Sequence, residues 1–109
     1  MIKKCIIDKQ IIAFIHAYLE KVRKHGVSDA RAILFGSFAR GTQSRDSDID
    51  LCILSSTFGK DYHDEAVMLR RILTDAPLPM DIVPYNPSDL QDRYDSLASE
   101  IRKYGITVV

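Results

Sequence analysis

The short connection between two apolar runs limits the fold most. The runs are "ARAILFG", Ala30 to Gly36, and "DIDLCILSS", Asp48 to Ser56, and each is typical of a short strand. The segment between them, "SFARGTQSRDS", is shorter than the connection of about a dozen residues that a parallel crossover needs. We therefore expect the two strands to pair antiparallel, which brings Gly36 close to Asp48.

The rest of the chain alternates between helical and strand signals. An apolar residue at every third or fourth position predicts a helix, and a short apolar run bounded by proline or glycine predicts a strand. The order is helix, strand, turn, strand, helix, strand, helix, strand, which predicts an α/β (α+β) fold with a mixed sheet of about four strands flanked by helices. Besides the two strands above, the predicted elements are a helix from Ile7 to Val22, a helix from Asp61 to Asp75, a strand from Pro79 to Tyr85, a helix from Asn86 to Gly105 and a last strand from Ile106. In the helix that ends at Gly105, this glycine is expected to form a left-handed cap, and the apolar face that should lie in the core consists of Leu90, Tyr94, Leu97, Ile101 and Tyr104.

Length and charge narrow the class of protein. The 109 residues suit one domain, residues 1–109. Fifteen basic and fifteen acidic residues cancel, so the chain has no overall positive field for nucleic acid, which is therefore not expected as a direct ligand. The apolar runs are short, and Asp8 and Lys9 interrupt the first of them. We expect a soluble cytoplasmic protein without a membrane segment.

Three acidic residues are predicted to meet at one end of the sheet. Side chains alternate along a strand, so Asp48 and Asp50 project to the same face. The next strand follows a full helix and should run parallel, which places Asp81, near its start, beside them. Carboxylates crowded in this way repel one another, and a hard divalent cation such as Mg²⁺ relieves the repulsion. Three acids suffice for two Mg²⁺ ions, the arrangement used in phosphoryl and nucleotidyl transfer.

A second set of residues suits phosphate. Gly36 and Ser37 end the first strand and are expected to open a short helical turn, whose free backbone N–H groups and serine hydroxyl would bind an anion. Gly36 also permits close approach of the backbone. Arg40 and Arg45 could add guanidinium contacts to phosphate oxygens. Each signal alone also fits an ordinary solvated turn, but their combination is much more specific.

In these motifs the sequence resembles the polymerase-beta-like nucleotidyltransferases, and in particular the minimal nucleotidyltransferases. The resemblance runs through "GSFARG" at Gly36 to Gly41 and "SDIDL" at Ser47 to Leu51, with Asp81 in the place of the family's third acid. It implies that ATP is the substrate, that Gly36 and Ser37 contact its phosphates, and that Asp48, Asp50 and Asp81 are the catalytic residues and ligate two Mg²⁺ ions. Transfer of AMP to a hydroxyl would release pyrophosphate.

The resemblance also suggests a partner. Minimal nucleotidyltransferases are often paired with a HEPN-family toxin, and members of the family act as antitoxin by adenylylating a tyrosine on it. We therefore expect a protein adenylyltransferase of a toxin–antitoxin pair. Two alternatives remain open, namely a non-catalytic antitoxin that neutralises its partner by occlusion, and an enzyme that modifies a small molecule of the aminoglycoside type.

Overall fold

A computed structural model describes residues 9–42 and 48–108 of the chain. Within them, four helices and four strands form an α+β fold with one mixed sheet, which confirms the predicted fold class. No described helix is both long enough and apolar enough to cross a membrane. In chain order the elements are α1 (Lys9–Lys24), β1 (Arg31–Phe35), α2 (Gly36–Arg40), β2 (Ile49–Leu54), α3 (Tyr62–Ile72), β3 (Met80–Tyr85), α4 (Ser96–Tyr104) and β4 (Ile106–Val108).

The strands lie in the order β3-β2-β1-β4. β1 pairs antiparallel with β2, with Phe35 opposite Asp50. β2 pairs parallel with β3, with Asp50 opposite Asp81. Both predicted pairings are confirmed, and the start of β3 lies beside the start of β2 because α3 carries the chain back across the sheet.

The two faces of the sheet carry separate apolar clusters. One face packs against α1 and α3, and its centre includes Ile15, Leu51 and Leu69, all fully buried. The other packs against α4 through residues such as Cys52 and Ile101. Cys52 is a buried free thiol, whereas Cys5 lies outside the described residues. Asp50 alternates with Leu51 and therefore lies on the α4 face.

The predicted helix from Asn86 to Gly105 is wrong in its first half. A 3₁₀ turn at Asp89–Gln91 comes first, and α4 begins only after Asp95, whose carboxylate accepts hydrogen bonds from the backbone N–H groups of Leu97 and Ala98. Tyr94, predicted to be in the core, is 88% exposed. Gly105, predicted as a left-handed cap, has φ −63° and ψ 145°, which is extended backbone.

Asp29 ties the loop before β1 to the end of β2. Its carboxylate accepts hydrogen bonds from the Ser55 hydroxyl at 2.6 Å and from the Ser56 hydroxyl at 2.7 Å. Ser56 also donates its backbone N–H to the same carboxylate, at 3.0 Å. These bonds stabilise the charged form and lower the pKa of Asp29 to about 2.

Asp29→Asn should therefore reduce the free energy of unfolding in a pH-dependent way. A depressed carboxyl pKa stabilises the fold above its unfolded value of about 3.8, and the contribution is lost as the pH falls toward about 2. Urea unfolding should show a gap between wild type and variant at pH 7 that narrows below pH ~4. Ser56→Ala should produce a smaller gap of the same pH dependence, whereas a gap that is constant with pH would contradict this account.

Candidate active site

Asp50 and Asp81 lie side by side at the start of two parallel strands. They are partners in the β2–β3 register, so their side chains project from the same face of the sheet. Asp48 comes two residues before Asp50, directly before β2, and is exposed. Asp50 is half-buried and Asp81 is exposed. The structure thus places all three predicted acids at the same end of the sheet, where β2 and β3 begin.

Asp50 lies among charged side chains that affect its ionisation. The pKa of Asp50 is raised, first by burial and then by the negative charges of Asp81, Asp48 and Glu100, while the Arg40 guanidinium acts in the opposite direction. Burial and like charges both disfavour the carboxylate form. A cation bound beside Asp50 would offset the negative charge of these acids.

Gly36 packs directly against Asp50. It has φ +76°, a region that favours glycine, and a Cβ atom at this position would lie 2.0 Å from Asp50 Oδ2. This close approach follows from the pairing of Phe35 with Asp50 in the antiparallel β1–β2 register. Ser37, the next residue, is half-buried in the first turn of α2. The predicted helical turn is present, and its first residue adjoins Asp50.

Arg40 ends α2 and contacts α4. Its Nη1 donates a hydrogen bond to Glu100 Oε2 at 3.1 Å, and its guanidinium carbon lies 5.6 Å from the centroid of the Tyr104 ring. Its predicted contact with phosphate stays a prediction. Neither Glu100 nor Tyr104 was predicted as a site residue. The predicted helix face put Tyr104 in the core, but its side chain is 42% exposed.

Arg45, the second predicted phosphate contact, lies outside the described residues, which omit 43–47. The same gap contains Ser47, the first residue of the "SDIDL" motif. The predicted role of Arg45 therefore stays a prediction.

The acids suit a metal ion by chemistry and charge. Carboxylate oxygens are the hard ligands that Mg²⁺ prefers, and the repulsion acting on Asp50 is the kind that a divalent cation relieves. In the part of the chain that the structure describes, however, no three His, Cys, Asp or Glu side chains are gathered closely enough to hold one ion. The carboxylates that could bind a metal ion therefore lie at the same end of the sheet, but they are not close enough together to coordinate one ion.

A separate groove of about 680 Å³ lies between α1 and α3. Its lining includes Lys21, Met68 and Arg71, on the face of the sheet opposite Asp50. It contains none of the predicted site residues and does not contribute to the candidate active site.

A family model described as a nucleotidyltransferase domain matches residues 15–106. That range includes every predicted site residue, from Gly36 to Asp81. No curated protein sequence matches the chain.

Two solved structures share the fold. One is a crystal structure of a toxin–antitoxin with AMP-PNP, with a TM-score of 0.51 and 23% sequence identity over 85% of this chain and 71% of that chain. The other is a proposed nucleotidyltransferase from Sulfolobus solfataricus, with a TM-score of 0.52 and 18% identity over 92% of this chain and 86% of that chain. At these identities the similarity concerns the fold alone.

Proposed function

This chain belongs to the nucleotidyltransferase domain family, and on that premise we propose that it transfers AMP from ATP to a hydroxyl group on a partner protein. The observation that supports the proposal best is the pairing of Asp50 with Asp81 at the start of β2 and β3, with Gly36 packed against Asp50. This pairing brings two carboxylates together beside a turn suited to phosphate. We propose that a metal-bound nucleotide binds at this end of the sheet.

In this proposal the acidic residues bind metal ions, and the residues of the Gly-Ser turn and the arginines bind phosphate. Asp48, Asp50 and Asp81 would hold two Mg²⁺ ions, which when bound neutralise phosphate charge and lower the pKa of the attacking hydroxyl. Ser37 would donate hydrogen bonds from its hydroxyl and its backbone N–H to phosphate oxygens. Gly36, which has no side chain, would leave room for the phosphate. Arg40, with Arg45 in the segment outside the described residues, would add guanidinium donors.

The reaction forms one bond and breaks one. The acceptor oxygen attacks the α-phosphorus of ATP, loses its proton, and forms a phosphodiester with AMP. The bond from the α-phosphorus to the oxygen that bridges it to the β-phosphorus breaks, and pyrophosphate leaves. The chain's own contribution is to hold the α-phosphate in line with the acceptor, because positioning and charge stabilisation supply most of the rate in phosphoryl transfer.

A toxin is the acceptor that we propose, specifically a tyrosine hydroxyl of a HEPN-family toxin. Two lines support this choice. The sequence motifs resemble minimal nucleotidyltransferases, which are often paired with such toxins, and one structure with the same fold is that of a toxin–antitoxin with AMP-PNP. In this scheme the chain acts as the antitoxin by modifying its partner.

The test is a transfer assay with ATP labelled at the α-phosphate. The chain, Mg²⁺, labelled ATP and a purified HEPN protein from the same genome would be incubated, with an aminoglycoside as a second acceptor in a parallel reaction. We expect label on the HEPN protein and none on the drug. A partner that forms the complex but stays unlabelled would contradict the protein-adenylylating role.

A non-catalytic antitoxin is the second candidate. It is compatible with the shared fold of a toxin–antitoxin structure, since an antitoxin can also neutralise its toxin by occluding it. Asp48→Ala combined with Asp50→Ala separates the two candidates in a cell-growth assay with the toxin. Neutralisation should be lost if it requires transfer, and it should persist if the chain acts by occlusion.

A further inference from the structure

One contact joins α2 to α4 beside the acids. Arg40 on α2 donates to Glu100 on α4 at 3.1 Å, and the two side chains are 38% and 31% exposed. The Tyr104 ring, one turn further along α4, lies 5.6 Å from the Arg40 guanidinium, within the range of a cation–π contact. Because the ion pair is partly shielded from water, it should hold Arg40 more firmly than a fully exposed pair would.

The position of Arg40 in α2 connects this contact with the phosphate turn. Ser37 and Arg40 are three residues apart in one short helix, so they lie on the same helical face. Gly36, the first residue of the same five-residue helix, packs against Asp50, so Arg40 lies about one helical turn from that acid. The contact with α4 thus orients an arginine that shares a face with Ser37.

From this geometry we infer that Glu100 is a positioning residue, which holds the Arg40 guanidinium in place to receive a phosphate of the nucleotide. The inference rests on the proposed function and adds a residue to the same site. A guanidinium has five N–H donors, and Glu100 engages Nη1, so Arg40 keeps donors for a second acceptor. Glu100 acts only through Arg40, because a carboxylate itself repels phosphate.

Orientation matters because a free arginine side chain is flexible. It loses rotamer freedom when it binds phosphate, and a guanidinium already held by Glu100 and Tyr104 loses less. The opposing effect is electrostatic, since removal of the Glu100 charge would favour an anionic ligand. The two effects predict opposite changes in nucleotide affinity, so an experiment can decide between them.

The experiment measures the affinity of the chain for Mg·ATP by calorimetry, together with KM and kcat for transfer. We expect Glu100→Ala to weaken binding about tenfold and to raise KM by a similar factor, with little change in kcat. Glu100→Gln keeps an acceptor but not the charge, and should weaken binding by a smaller factor. Glu20→Ala is the matched control, because Glu20 pairs with Arg23 at 3.6 Å on α1, away from the site.

A second set of variants tests whether Glu100 acts through Arg40. In an Arg40→Lys background, which keeps the charge but lacks the planar group, Glu100→Ala should not weaken affinity further, because only the electrostatic effect of removing the Glu100 charge remains. Unchanged or tighter binding by Glu100→Ala, with wild type binding Mg·ATP normally, would overturn the inference and leave the proposed function standing. Failure of wild type itself to bind Mg·ATP would overturn both.

Discussion

Replacing Asp50 with asparagine should reduce nucleotidyl transfer by about a thousandfold or more, which is roughly the effect of removing one group that stabilises charge in a transition state. Asp50 is the most central of the three acids, because it faces Asp81 across the β2–β3 register and packs against Gly36. Asparagine has nearly the same shape but lacks the charge that a divalent cation requires. The loss should therefore appear in kcat and in kcat/KM together.

The same variant should be at least as stable as wild type, although its transfer activity falls. In the metal-free protein, burial and the neighbouring acids raise the pKa of Asp50, so its charged form destabilises the fold. Asp50→Asn removes that effect, and its free energy of unfolding at pH 7 should be equal to or higher than that of wild type. The difference should disappear at a pH below the ordinary carboxyl pKa of about 3.9, where both side chains are neutral.

Thermal unfolding with and without Mg²⁺ provides the check. Mg²⁺ should raise the Tm of wild type and have a smaller effect on Asp50→Asn, since at a given concentration a ligand that binds more tightly stabilises the folded state more. A variant that unfolds at much lower temperature would show that Asp50 has a structural role. A variant that retains transfer activity would exclude Asp50 from the catalytic residues.

Gly36→Ala is the second large effect that we expect, and it should reduce both stability and activity. The backbone at φ +76° disfavours any L side chain, and the added Cβ would lie 2.0 Å from Asp50 Oδ2. Strain of the left-handed backbone and displacement of the carboxylate together should lower the free energy of unfolding by about 2–4 kcal/mol. Displacing Asp50 should also reduce transfer about a hundredfold or more, because a small misplacement of a reacting group is enough.

Gly26→Ala is the matched control for this substitution. Gly26 also has positive φ, at +98°, but no atom lies within 4 Å of the position its Cβ would take. It should show the backbone strain alone, about 1–2 kcal/mol, and normal transfer. Combining Gly36→Ala with Asp50→Ala should recover part of the lost stability, since the two changes interact directly. Equal effects of the two alanines on stability would contradict the contact between Gly36 and Asp50.

The strand pairing could be predicted because short-range rules determine it. A connection too short for a crossover required β1 and β2 to be antiparallel, and an intervening helix allowed β2 and β3 to be parallel. Alternation of side chains along a strand then placed Asp48 and Asp50 on one face. Together these rules predicted that Gly36, Asp48, Asp50 and Asp81 lie at the same end of the sheet.

The first half of the last helix could not be predicted from its apolar spacing. Asp95 accepts hydrogen bonds from two backbone N–H groups and from the Tyr85 hydroxyl, at 2.8 Å, so it begins a helix where the spacing of Leu90 and Tyr94 predicted continuation. Aspartate favours such local bonds over the interior of a helix. The bond to Tyr85 depends on the sheet, which lies beyond the reach of a local pattern.

The partner of Arg40 was missed for a similar reason. Arg40 and Glu100 are far apart in the sequence, and they meet because α4 packs on the face of the sheet that holds Asp50. No periodicity or motif connects them. The Gly-Ser and Asp-x-Asp motifs, by contrast, are each formed by neighbouring residues and could be identified directly from the sequence.

The most direct test of the central claim is the intact mass of a HEPN partner after coexpression with this chain. We expect the partner to gain the mass of one or more AMP groups when it is coexpressed with the wild-type chain and to gain none with Asp50→Asn. Fragmentation should place the added group on a tyrosine. A partner that copurifies with the wild-type chain, is neutralised by it and keeps its unmodified mass would contradict the account.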